Sequence, residues 1–406
     1  MSDVVGEHPV RADGPVLARL STLDRLLPVW IVAAMVGGLL LGRLAPGVGE
    51  ALQVVQVGSV SLPIAIGLLL MMYPVLAKVR YTETRRVTDD RTLLVASLVL
   101  NWVVGPALMF ALAWLLLPDH PEYRTGLIIV GLARCIAMVL IWNDLSCGDR
   151  EAAAVLVAIN SGFQILAFAA LGWFYLQVLP GWLGLSTTSA DFSVWAIALS
   201  VLVFLGIPLV AGFLTRTLGE RARGREWYEE RFLPRIGPVA LYGLLFTIVM
   251  LFALQGDAVT SRPWDVARIG LPLLAYFALM FGGAFLLGRA VGLSYAKTAT
   301  LSFTAAGNNF ELAIAVAIGT FGATSGQALA GVVGPLIEVP VLVGLVYVSW
   351  IAPDLVPTAD WARTHSMRRR AAIVRANAAS ASSASLLRLH APALPGCLKR
   401  RNFGAD

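Results

Sequence analysis

Ten apolar stretches separated by short polar intervals make up most of the chain: about 26–44, 57–77, 93–117, 123–142, 152–178, 192–215, 236–255, 269–288, 296–318 and 329–351. Each is close to or above the roughly 20 residues that a helix needs to cross about 30 Å of hydrocarbon. Gly37-Gly38, Pro63, Pro74, Gly282-Gly283, Pro335 and Pro340 fall inside these stretches, as membrane helices tolerate. The pattern predicts an all-α membrane protein with ten transmembrane helices.

The polar intervals set the expected orientation. Those after the second, fourth, sixth and eighth spans hold fourteen lysines and arginines, and those after the odd-numbered spans hold four: Arg43, Arg124, Arg262 and Arg268. The positive-inside rule then predicts a cytoplasmic N-terminus (1–23), a transporter body (24–352) and a cytoplasmic tail (353–406). The tail is rich in alanine and serine between Arg368-Arg369-Arg370 and Lys399-Arg400-Arg401. It reads as a solvated segment or one drawn to anionic lipid. Charges scattered through the first 25 residues do not form the basic region of a cleaved secretory signal. The first span is therefore expected to stay in the membrane.

Five spans precede the uncharged connection 178–190 and five follow it. An odd number per half makes the halves run in opposite directions, so the chain is read as two inverted five-helix repeats, about 24–178 and 191–352. The fourth span of each half carries a polar interruption: Arg134-Cys135 in one, Gly307-Asn308-Asn309 in the other. The fifth of each half carries another, Asn160-Ser161 and Glu338-Val339-Pro340. The fourth and ninth spans are read as broken helices that hold a substrate between them.

Composition agrees and adds limits. The chain of 406 residues is 58% hydrophobic and 14% charged, with a mean hydropathy of +0.76, against about a quarter charged in soluble domains. The formal charge of +6 lies in loops and tail and does not point to nucleic acid. No phosphate-binding G-x-x-x-x-G-K-[ST], zinc-protease H-E-x-x-H or nucleophile G-x-S-x-G motif is present, so neither an enzyme nor an ATP-binding chain is expected. Transport must draw on an ion gradient or on a separate ATPase subunit.

Inside the spans the ionisable residues reduce to Arg134, Glu311 and Glu338, with Cys135, Asn160, Asn308 and Asn309 as further chemistry. An intramembrane charge marks a functional site by default. One cation with two carboxylates suggests that one carboxylate is neutralised by Arg134 while the other exchanges protons. Glu311 follows two small residues and two amides where a helix can unwind, which suits coupling. A guanidinium beside Cys135 favours thiolate, the form that ligates soft elements. Cys147, roughly 18 Å along a straight helix, cannot share that ligand, and one sulfur suits reversible binding.

The segments Gly131-Leu-Ala-Arg134-Cys135-Ile-Ala-Met-Val-Leu-Ile-Trp142-Asn143-Asp144 and Ala306-Gly307-Asn308-Asn309-Phe310-Glu311 closely resemble the hallmark segments of the Acr3 family of arsenite efflux permeases. Pro335-Leu-Ile-Glu338-Val-Pro340 is similar to that family's last-helix motif. The resemblance covers about residues 24–352. It implies ten helices in the fold shared with sodium/bile-acid symporters, with panel and core domains around two crossed broken helices. It also implies export across the plasma membrane of trivalent arsenic, in some members antimony, driven by the proton gradient without an obligatory ATPase subunit. By motif match it assigns roles to Cys135 and Glu311. Substrate-binding roles for Arg134, Asn160, Asn308 and Asn309, and proton coupling at Glu338, rest on their chemistry. A sodium-coupled organic-anion symporter of the same fold is the competing expectation, since Asn308, Asn309 and Glu311 could coordinate a cation.

Overall fold

In the computed structural model the described residues run from 27 to 355, apart from 46, 49–51, 53, 55, 58, 59, 80–89, 137, 187–193, 262 and 323. The N-terminal segment 1–23 and the tail beyond 355 lie outside them. Nearly everything described is helix. The order is α1 (Leu27–Leu44), α2 (Leu62–Ala77), α3 (Arg91–Leu116), α4 (Pro121–Leu132), α5 (Met138–Leu145), α6 (Arg150–Trp182), α7 (Val194–Arg223), α8 (Leu233–Ser261), α9 (Pro263–Ala290), α10 (Tyr295–Ala306), α11 (Phe310–Phe321) and α12 (Gly326–Leu355).

Six of these helices, α3, α6, α7, α8, α9 and α12, are long and apolar enough to cross a membrane, while α1, α2 and α11 are shorter apolar helices. The outward faces carry large apolar side chains such as Leu115, Leu166 and Trp195, exposed by 72–81%. A soluble protein does not present such a surface, so this is a multi-pass membrane protein. The second span begins later than its hydrophobicity suggests. Gln56–Val57 pairs with Val60–Ser61 as a two-residue antiparallel hairpin, and α2 starts at Leu62 with Pro63 in its first turn, where a missing N–H costs nothing.

The helices pack in two groups. In one, α2 lies against α7 and α8, and α1 joins α8. Close approach there depends on small residues, as is usual without a hydrophobic drive between helices. A Cβ on Gly243 of α8 would come within 2.8 Å of the Met71 amide nitrogen of α2. In the other group α9 packs on α10 and α12, α4 on α3 and α12, α11 on α12, and α6 on α10. The first turns of α7 touch α6 and α11, and α8 touches α12, joining the groups. At one end of the molecule Asp90 caps α3 by accepting from the Leu93 amide and binds Lys297 of α10. Burial pushes its carboxyl up, but the Lys297 and Leu93 hydrogen bonds outweigh this and leave it below the usual carboxylate range.

Candidate functional site

The apolar stretches 123–142 and 296–318 are both interrupted. Between α4 and α5 the chain is extended at Ala133 (ψ 113°), and between α10 and α11 it is extended at Gly307 (ψ 138°). The two interruptions meet. Arg134 and Asn308 pair as an isolated antiparallel bridge, the Cys135 amide donates to the Gly307 carbonyl (3.3 Å), and the Asn309 amide donates to the Ala133 carbonyl (3.0 Å). Irregular backbone at membrane depth is stable only when its polar groups are satisfied by protein or a cavity. Here each break supplies partners for the other.

Side chains finish both helix starts. Asn309 Oδ1 accepts from the Leu312 amide (3.0 Å) and caps α11. Cys135 Sγ accepts from the Val139 amide (3.3 Å) at the start of α5. Two helix N-termini, with their positive dipole ends, therefore converge on the crossing. Gly307 permits the contact, because a Cβ there would sit 2.9 Å from the Cys135 Cβ.

Arg134 is fully buried. Its guanidinium donates to the Gly131 carbonyl and to Tyr276 Oη (2.8 Å), and its backbone N–H donates to Gln164 Oε1. The sequence suggests a carboxylate partner. Among the described residues the structure instead gives Arg134 neutral acceptors. The phenol and the carbonyl supply oxygen dipoles without moving a second charge into the interior, which is the larger desolvation cost. Room for the guanidinium comes from Gly105 on α3, where a Cβ would lie 2.9 Å from Nη1.

Cys135 is buried and is the free cysteine among the described residues. Asn308 and Asn309 are also buried, and the Asn308 backbone N–H donates to Glu338 Oε1 (3.4 Å) from α12. Glu311, in the first turn of α11, is half-buried. It lines a narrow cleft with Asn309 and Leu312, facing Leu68 and Met72 of α2 and Phe204 and Leu205 of α7. The cleft thus lies where the two helix groups face each other, and Cys135 does not line it.

The structure brings Arg134, Cys135, Asn308, Asn309 and Glu338 together at the crossing, with Glu311 in the first turn of α11. It does not bring Asn160 there by any hydrogen bond: Asn160 Oδ1 accepts from Trp102 Nε1 (3.0 Å), tying α6 to α3. Gln164, one turn further along α6, is the residue that reaches Arg134. Sequence reasoning passed over Gln164, Tyr276 and Gly105. Four buried donor nitrogens, Arg134 Nε, Gln164 Nε2, Asn308 Nδ2 and Asn309 Nδ2, have no partner among the described residues. Buried polar groups are normally satisfied, so the crossing carries an excess of N–H donors beside one soft sulfur.

A membrane-embedded bundle with interrupted helices meeting in its interior is the architecture of a secondary transporter, and residues 65–262 match the family model described as the Sodium Bile acid symporter family. The arsenical-resistance protein Acr3 of Corynebacterium glutamicum is 65% identical over 341 residues, spanning 84% of this chain and 92% of that protein. The arsenical-resistance protein Acr3 of Alkaliphilus metalliredigens is 34% identical over 336 residues, 80% of this chain and 92% of that protein. An uncharacterized transporter of Synechocystis is 35% identical over 346 residues, 80% of this chain and 88% of that protein. The chain belongs to the Acr3 family of arsenical-resistance proteins.

Proposed function

We propose that this protein exports arsenite from the cytoplasm in exchange for protons, as a secondary active transporter that needs no ATPase subunit. The observation that carries the reading is the buried free thiol of Cys135 set beside four unpartnered N–H donors at the crossing. Arsenous acid is small, neutral near pH 7, thiophilic, and bears three hydroxyl oxygens. Its relatives' names, arsenical-resistance proteins, point to the same cargo.

In this reading ten spans form two inverted repeats. Support comes from the matching positions of the two breaks, each the fourth span of its half, and from the side-chain cap that opens each second half-helix. Both termini face the cytoplasm, in keeping with the lysines and arginines of the even-numbered loops. Arsenite enters from the cytoplasm, contacts Cys135 Sγ and accepts hydrogen bonds from Asn308 and Asn309. Glu311 faces the cleft between the helix groups, so rocking of one group against the other changes which side of the membrane reaches it. Protonation of Glu311 from outside weakens the site, arsenite leaves, and the proton is carried inward. Glu338, bound to the Asn308 amide, transmits that change to the ninth-span break.

The test is arsenite uptake into inverted membrane vesicles containing the full-length protein. An imposed pH gradient should drive accumulation, a protonophore should abolish it, and removing Na⁺ should have no effect. Accumulation that requires Na⁺ and ignores the protonophore would instead establish the sodium-coupled alternative.

A further inference from the structure

Three side chains, Arg134, Tyr276 and Asn308, form one hydrogen-bonded chain through the crossing, and the Asn308 backbone N–H separately reaches Glu338. Arg134 Nη1 donates to Tyr276 Oη (2.8 Å), Tyr276 Oη donates to Asn308 Oδ1 (3.5 Å), and the Asn308 backbone N–H donates to Glu338 Oε1 (3.4 Å). The first member determines the direction of the rest. A guanidinium has five N–H donors and no acceptor. The phenol oxygen must therefore accept from Arg134, and its single proton is left for Asn308. Asn308 then has to turn its carbonyl oxygen toward Tyr276. Its Nδ2, carrying two N–H donors, is the end left over, and it is buried without a partner among the described residues.

We infer that Tyr276 is a positioning residue for substrate: it converts the donor-only Arg134 into a donor aimed at Asn308 Oδ1, so that Asn308 offers Nδ2, not its oxygen, to an oxygen-bearing neutral ligand. The inference rests on the arsenite-transport reading and names how that site selects hydroxyl oxygens. Tyr276 cannot readily relax away from this task. It is fully buried, and a Cβ on Gly105 would come within 3.1 Å of Tyr276 Oη and 2.9 Å of Arg134 Nη1, so α3 confines both partners. Without the hydroxyl, nothing in the chain distinguishes the two ends of the Asn308 amide. A flipped amide would present an acceptor to a ligand oxygen and repel it.

The experiment measures arsenite uptake by inverted vesicles as a function of arsenite concentration. Tyr276→Phe should raise the KM about tenfold, the equivalent of one hydrogen bond of roughly 1.4 kcal/mol, and leave the maximal rate within about twofold. A structural defect would instead lower the amount of active protein and the rate together. Because Tyr276 acts through Asn308, the double variant Tyr276→Phe with Asn308→Ala should show a KM no higher than Asn308→Ala alone. An unchanged KM in Tyr276→Phe, or effects that multiply in the double variant, would overturn the inference. Asn308→Asp decides the matter if the tyrosine variant does not insert. It replaces Nδ2 by oxygen while keeping an acceptor for Tyr276, so its KM must rise at least tenfold, and a KM equal to that of the parent protein would overturn the assigned orientation. Failure of the parent protein itself to accumulate arsenite would refute the transport reading, whatever the variants do.

Discussion

Arg134 and Asn308 face each other as an isolated antiparallel bridge between two otherwise helical spans. Flanking hydrogen bonds from Cys135 to Gly307 and from Asn309 to Ala133 complete the exchange. An unmet backbone group in hydrocarbon costs on the order of several kcal/mol, so neither break is stable in the absence of the other. The sulfur and the amides are thereby held by backbone pairing, while Glu311 is free to face the cleft between the helix groups. Cys135 directly follows the bridged Arg134, and Glu311 lies three residues beyond the bridged Asn308.

Gln164 is expected to stabilise this unit. Its Oε1 accepts the Arg134 backbone N–H, inside the protein and out of reach of water. Gln164→Leu leaves that donor unmet and should lower stability by about 1–3 kcal/mol, read as a lower melting temperature of detergent-purified protein. Gln164→Glu retains an acceptor and should melt above Gln164→Leu. Equal melting of Gln164→Leu and the parent protein would show that the hydrogen bond carries no weight.

The Cys135 thiol can be separated from its structural duty. Sγ caps the first turn of α5 through the Val139 amide, and a serine hydroxyl can accept the same bond. Cys135→Ser should therefore fold normally, with an unchanged melting temperature, and raise the KM for arsenite by at least about tenfold, because oxygen lacks the affinity of sulfur for a soft element. Vesicle uptake with the parent KM would make the thiol dispensable.

Much of this arrangement is legible in the sequence because bilayers constrain it so tightly. Run length locates the spans, and a polar cluster inside an apolar run locates a break, so Arg134, Cys135, Asn308 and Asn309 stand out before any coordinates. What the sequence withholds is who meets whom. Asn160 and Gln164 are one turn apart on the same face of α6, so hydropathy finds the face but cannot tell which of the two reaches Arg134. Tyr276 reads as one more aromatic in a span, and Gly105 as one more small residue beside a proline. Their contacts with Arg134 exist only because α3 and α9 flank the break that follows α4. The expected ion pair between Arg134 and a carboxylate fails for the same reason: neutral oxygens were nearer, and sequence separation does not reveal them. The pairing of Gln56–Val57 with Val60–Ser61 is invisible to hydropathy because its valines suit the start of an apolar helix as well as a strand.

The Asp90–Lys297 pair ties the start of α3 to α10 and carries a pH signature. The Asp90 carboxyl titrates below its unfolded value of 3.8, so its contribution is present above that value and is lost as pH falls through the folded one. Both side chains meet solvent, which limits the contribution to less than about 1 kcal/mol. Asp90→Asn should melt slightly lower than the parent protein at pH 7, and the difference should narrow progressively as melting is repeated at pH values below 3.8. A gap that persists there would assign the effect to a difference other than charge, since asparagine keeps an acceptor for the Leu93 amide.

Glu311 offers the decisive test of coupling, because it is the carboxylate that faces the cleft, whereas Glu338 is committed to the Asn308 amide. Glu311→Gln preserves size and hydrogen-bonding capacity but cannot titrate. Accumulation of arsenite driven by a pH gradient should fall to background in vesicles carrying this variant. Exchange of labelled for unlabelled arsenite at equal pH on both sides should continue at saturating arsenite, since it requires only that the loaded protein change its facing, with no net proton movement. Its KM should be raised, because the uncharged side chain mimics the protonated, weaker-binding form. Loss of both activities with an unchanged melting temperature would place Glu311 in substrate binding. Gradient-driven accumulation at the parent rate would remove Glu311 from coupling and direct the same substitution to Glu338, where glutamine should then abolish accumulation and spare exchange.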